Sequence, residues 1–173
     1  MALACWPGLV ACSNGSTPSN ELPEPDSEAV RAELVELFAG EHPGEDSTEA
    51  AECFADELLD RVSPAELREG GVLDKELDAN REVTALDRPV AEAWTDAQLA
   101  CTDFVDESTK AQLALAKGKL DTSTYAACLE GRLDDETIRT ATIAALMAQW
   151  SDPAVEDLSV ARSVCSKTSL PRS

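Results

Sequence analysis

From Asp26 onward the apolar residues of this chain keep helical spacing and nowhere alternate with the period of a strand over a convincing length. Val30, Leu34, Leu37 and Phe38 fall on one face of a helix that Asp26 or Ser27 can cap and Gly40 can end. A second helix is expected from near Asp46 or Ser47, carrying Ala51, Ala55, Leu58, Leu59 and Val62 inward with Cys53 on a flank. Ser63-Pro64-Ala65-Glu66 is the sharpest local signal. A serine N-cap, proline at the first helical position and glutamate at the third form a capping box, and Gly70-Gly71 closes that short helix. After Pro89, Val90, Trp94, Ala97, Cys101 and Phe104 share one long stripe.

The pattern continues to the C terminus. Ser108 or Thr109 can cap a shorter helix through Lys117, closed by Gly118, and another begins near Ser123 and holds Cys128. Asp134 caps a helix carrying Ile143, Leu146, Met147 and Trp150. Asp152-Pro153 opens the last, with Ala154, Leu158, Ala161 and Cys165 along one face. The expected fold class is all-α, a compact multi-helix bundle. The segment Val72 to Leu86 stays ambiguous. Its Asp74, Glu76, Asp78 and Asn80 alternate like the start of a calcium loop, but Ala79 and Ala85 stand where such a loop needs glycine and glutamate. It reads as a solvated acidic stretch.

At 173 residues the chain is about one domain long, and with aromatics at only 4% its core is built mostly from Ala, Leu and Val. The net charge is −20, from 34 acids against 14 bases, all of them after residue 20. A field of that sign repels phosphate backbones and anionic membrane surfaces, which argues against nucleic-acid binding. It serves solubility, or a basic partner or loosely held cations.

There are six cysteines: Cys5, Cys12, Cys53, Cys101, Cys128 and Cys165. None is in a CxxC pair, and with a single histidine a Cys/His zinc site is not expected. Cys53, Cys101, Cys128 and Cys165 lie in the helical part, where three pairings are possible. A weak internal repeat favours one of them. Ser47-Thr48-Glu49-Ala50-Ala51-Glu52-Cys53 and Ser123-Thr124-Tyr125-Ala126-Ala127-Cys128 each open a half, followed by a capped middle helix and a helix with the closing cysteine. The expected disulfides are therefore Cys53–Cys101 and Cys128–Cys165, tying halves 47–106 and 122–166, with an insertion at 72–88 explaining the longer first loop. In the chain-entropy model each closure stabilises by roughly 4 kcal/mol.

Leu9-Val10-Ala11-Cys12 resembles the lipobox of bacterial lipoproteins, in which the cysteine is lipidated and becomes the new N-terminus. Ser13-Asn14-Gly15-Ser16-Thr17-Pro18-Ser19-Asn20 follows as a polar tether with nothing to bury. Met1 to Gly8 hold no Lys or Arg, and Trp6-Pro7-Gly8 interrupt the apolar stretch, so residues 1–11 read as the remnant of a truncated signal peptide. Residues 12–26 then form a disordered tether, 27–168 a single all-α domain and 169–173 a disordered tail. The Ala/Asp/Glu/Leu-rich composition is similar to that of small exported lipoproteins of high-GC Gram-positive bacteria. The resemblance implies lipid at Cys12 and a place on the outer face of the cytoplasmic membrane, and it assigns no activity.

No catalytic constellation can be assembled. His42 sits in a Glu-His-Pro-Gly turn without a nucleophile or orienting partner, no Gly-x-Ser-x-Gly elbow or phosphate-cradling glycine loop is present, and in Asp134-Asp135-Glu136 the first acid already serves as a cap. Trp94, Trp150 and Tyr125 could line a ligand pocket, although the apolar stripe places Trp94 in the core. The sequence supports a non-enzymatic binding module at the cell envelope, without cofactor or metal, engaging a protein partner of basic character. The other reading is a soluble, acidic cytosolic interaction protein with reduced cysteines.

Overall fold

The computed structural model describes residues 27–40, 45–81 and 84–171. Cys5, Cys12, the tether and His42 lie outside the described residues. Among those described, the chain forms eight helices: α1 (Ser27–Ala39), α2 (Glu45–Leu59), α3 (Pro64–Glu69), α4 (Arg88–Cys101), α5 (Phe104–Leu115), α6 (Thr122–Glu130), α7 (Asp135–Leu146) and α8 (Pro153–Ser169). No strand occurs among them, only an isolated antiparallel bridge between Leu73 and Ala79. The fold is an all-α bundle.

Local chemistry sets most boundaries. Ser63 and Glu66 close the capping box in both directions, with Glu66 Oε2 accepting from Ser63 N at 2.7 Å and Ser63 Oγ accepting from Glu66 N at 3.3 Å. Asp87, Asp103, Asp121, Asp134 and Asp152 each accept a backbone N–H at the start of a helix, satisfying donors that have no intrahelical partner.

Three boundaries differ from the sequence reading. The stripe through Phe104 is broken, because α4 stops at Cys101 and Asp103 accepts from Asp106 N at 2.8 Å to cap α5. Ser108, expected as a cap, is instead buried inside α5 and accepts from Arg162 Nη2 at 3.0 Å. Trp150 is not on α7, which ends at Leu146 in a Schellman-type turn where Gln149 N donates to Ala144 O at 2.8 Å. At the other end of the last helix, α8 runs to Ser169, one residue beyond the boundary placed at 168, and that serine is buried.

Packing runs α1 on α2, α2 on α4, α4 on α7, α7 on α8, α8 on α6 and α6 on α5. Two buried clusters result. The first gathers Val30, Leu34, Phe54, Leu58, Leu67 and Val90 with Ile143 of α7; the second gathers Tyr125, Leu129, Leu133, Ala161 and Cys165 with Ile138, also of α7. Because α7 puts Ile143 into one cluster and Ile138 into the other, it joins the halves.

The disulfides are Cys53–Cys101, spanning 48 residues with Cα atoms 5.7 Å apart, and Cys128–Cys165, spanning 37 with Cα atoms 5.5 Å apart. Each ties the first and last of three consecutive helices, α2–α3–α4 and α6–α7–α8. The middle helices differ in length, 6 residues in α3 against 12 in α7, so the longer first loop comes from the segment after α3.

Candidate binding groove

In the segment 72–86 that the sequence left ambiguous, the described residues 72–81 and 84–86 form a strap across the helices. Asn80 N donates to Val72 O at 2.8 Å, Asn80 Nδ2 to Gly71 O at 3.0 Å, and the Leu73–Ala79 bridge closes the turn between them. Asp74 Oδ1 accepts from Glu76 N at 2.9 Å and from Asp78 N at 3.0 Å, so this carboxylate holds the turn through its own backbone. Of the acids that alternated like calcium ligands, Asp74 is therefore engaged by main-chain donors. Among the described residues no group of three or more His, Cys, Asp or Glu side chains is placed to hold a metal ion.

Two long-range contacts pin the strap. Ala79 N donates to Glu33 Oε2 of α1 at 3.1 Å, and Leu86 N donates to Leu146 O, an open carbonyl at the end of α7, at 2.8 Å. Arg81 pairs with Glu36, also on α1. The strap is thereby held to α1 through Ala79 and Arg81 and to the C-terminal end of α7 through Leu86.

Between strap and helices lies a half-open groove of about 350 Å³. Its wall is mainly apolar, with Leu37 from α1, Val72 and Leu86 from the strap, Trp94 from α4 and Leu146 from α7, and Trp150 stands at its edge. That volume lies within the range of ligand pockets, and the lining is of the same mixed character, apolar walls with a few polar groups. The polar groups are Asn80, Arg81 and Thr84.

The three aromatic residues singled out from sequence go to different places. Trp94 is half-buried, and its ring meets Phe54 edge-on at 4.8 Å while Phe54 stacks on Phe38 at 4.1 Å. It belongs to the first cluster and also walls the groove. Trp150 is 68% exposed. Tyr125 is fully buried in the second cluster, where desolvation raises its phenol above the ordinary value and Arg162 opposes the shift, so the groove contains two of the three.

Asp134 caps α7, and the hydrogen bonds from the Thr137 side chain and backbone hold its carboxyl below the usual range. Asp135 and Glu136 beside it are exposed. Asp135 lines a separate hollow with Thr102, Asp103 and Ile138, where the Asp103 carboxylate already serves as the cap of α5. The sequence missed Leu37, Val72, Leu86 and Leu146 as groove residues. They lie on three separate elements, α1, the strap and α7, and each is explained locally as an ordinary core position.

No family model matches the chain, and neither a curated protein nor a solved structure matches it.

Proposed function

We propose that this chain is an exported helical module, lipid-anchored through Cys12 to the outer face of the cytoplasmic membrane, that binds a partner at the cell envelope without acting as an enzyme. The observation that carries the reading is the pair of disulfides, Cys53–Cys101 and Cys128–Cys165. Protein disulfides form and persist in oxidising compartments, and thiols in the cytosol are kept reduced. Together they close most of the helical region into two loops, as expected of a structural rather than a catalytic role.

Two further features support it. No helix among the described residues is long and apolar enough to cross a membrane, so in this reading attachment rests on the lipid. A single acyl chain holds only marginally, and a lipoprotein-type anchor carries more than one. The apolar groove beside an exposed tryptophan supplies a surface for binding.

The test is the intact mass of the protein from its native membrane fraction, with thiols alkylated before and after reduction. Loss of residues 1–11, a lipid-sized mass gain on Cys12 and four thiols that appear only after reduction are expected. An unmodified chain in the cytosol with six free thiols would overturn the reading in favour of a cytosolic interaction protein.

A further inference from the structure

Trp150 is held out of the core by a defined piece of backbone. Ala148 takes the left-handed conformation, φ 56°, at the place where the equivalent turn after α3 uses Gly71, φ 81°. A Cβ in that region costs on the order of 1 kcal/mol, which glycine avoids. Gln149 N donates to Ala144 O at 2.8 Å on one side of Trp150, and Asp152 N donates to Gln149 O at 3.0 Å on the other. Asp152 then caps α8 through Ala154 N at 2.9 Å. The indole is presented on a turn that is hydrogen-bonded at both ends, beside a groove that a second indole, Trp94, also lines.

An exposed tryptophan beside an apolar hollow that a partner can desolvate is the residue and setting in which binding energy concentrates at protein interfaces. The charges nearby indicate the partner. The elements bordering the groove carry Glu33, Glu36, Asp74, Asp78 and Asp87, which outnumber Arg31, Lys75 and Arg88 on the same elements and stand around the groove rather than in its lining. Arg81, which lines the groove, is neutralised by Glu36. The chain as a whole carries −20, which opposes a second copy of itself, a nucleic acid or an anionic membrane in this position.

We propose that this groove docks a basic, amphipathic segment of a partner protein, with an apolar side chain entering between Trp94 and Trp150 and lysines or arginines facing the acids of α1 and the strap. The proposal rests on reading the chain as a binding module and adds to it the site and the chemistry of the partner. Helix-in-groove recognition has this form, with apolar anchors on one face and flanking charge for orientation. Charge complementarity also hastens encounter and is weakened by salt.

The test is a titration of the full chain, with both disulfides intact, by a synthetic amphipathic helix of lysine and leucine, followed by tryptophan emission and by calorimetry. The matched glutamate–leucine peptide is the charge control. Saturable binding of the lysine peptide, weakened by salt and at least about tenfold weaker for the acidic peptide, is expected, with Trp150→Ala raising Kd about tenfold or more. Leu115→Ala, at the more exposed apolar residue (78%) on α5, should leave Kd within about twofold. Equal losses in the two variants would overturn the proposal, as would equal affinity for the two peptides. So would self-association abolished by Trp150→Ala, or uptake of a neutral alcohol such as decanol by the groove with no peptide binding. The purified chain is used, so failure of the envelope reading would show in the mass measurement and leave this titration interpretable.

Discussion

Gly70 lies against Val90: a Cβ built on the glycine would come within 2.8 Å of Val90 Cγ2. Val90 is β-branched, 2% exposed and in the first helical turn of α4, so its methyl has little room to move. The close approach lets the end of α3 sit directly on the start of α4.

Gly70→Ala should therefore destabilise the protein by about 1 to 3 kcal/mol, the cost of overpacking a filled site. Gly131, which caps α6 with a similar backbone conformation, is the control, because its nearest neighbour to an added Cβ is Ala127 O at 3.4 Å. Gly131→Ala should be close to neutral. Urea midpoints for the two variants, compared at equal m-value, check the contrast, and equal losses would refute it.

Ala148→Gly should act in the opposite direction. It removes the left-handed strain at φ 56° and adds backbone entropy to the unfolded chain, leaving a net gain of about 0.5 kcal/mol. A small rise in Tm with unchanged circular dichroism is the expected result. If glycine here destabilises, the turn that presents Trp150 is held by more than its backbone geometry.

The disulfides predict a larger effect. Replacing Cys128 and Cys165 together by serine, or Cys53 and Cys101 together, should cost up to about 4 kcal/mol, since the loops of 37 and 48 residues differ little in closure entropy. Cys165 is fully buried, so the Cys128/Cys165 variant also buries a serine hydroxyl and should be the worse of the two. Denaturant unfolding of both double variants, each with the other disulfide intact, gives the ranking.

Arg139 and Asp96 supply the pH dependence. Arg139 Nε donates to Asp96 Oδ1 at 2.6 Å and Nη2 to Oδ2 at 3.1 Å, a bidentate pair between α7 and α4. The hydrogen bond from Arg139 lowers the Asp96 carboxyl below its ordinary value against the opposing effect of burial. A depressed folded value means that the pair stabilises above the unfolded aspartate value, about 4, and that this contribution is lost as pH falls through the folded one. The side chains are 44% and 39% exposed, so the contribution is that of a surface pair, about 0.5 to 1 kcal/mol. Asp96→Asn should be less stable than the parent by this amount at neutral pH, and the difference should shrink below about pH 4. Urea midpoints of both proteins across that range check it, and a gap that widens on acidification would contradict the assignment.

The parts of the fold legible in the sequence are those governed by interactions within three or four residues. The Ser63–Glu66 box and the Asp134 and Asp152 caps are local exchanges between a side chain and the first free N–H groups of a helix, so a four-residue word suffices to read them. Asp103 obeys the same rule but is hidden in the sequence, because the apolar stripe continues in register from Cys101 to Phe104 across the break. The hydroxyl of Ser108 offered a competing cap, and only its burial under Arg162 shows that it has a different partner. Trp150 continues the spacing of Leu146 and Met147, yet the last turn of α7 closes before it.

Sequence alone determined that the chain is helical, where most helices start, that it carries a net charge of −20 and that its folded cysteines pair as 53 with 101 and 128 with 165. Those follow from local hydrogen bonding, long-range charge and a repeat written into the chain. Tertiary structure alone decided that α7 joins the two clusters through Ile143 and Ile138, and that the strap lies between α1 and α7 to leave a groove. Leu37, Val72, Trp94 and Leu146 each satisfy a local pattern that says only "inward". Which inward faces meet, and which hollow stays unfilled between them, depends on the packing of elements up to a hundred residues apart, and no spacing along the chain records it.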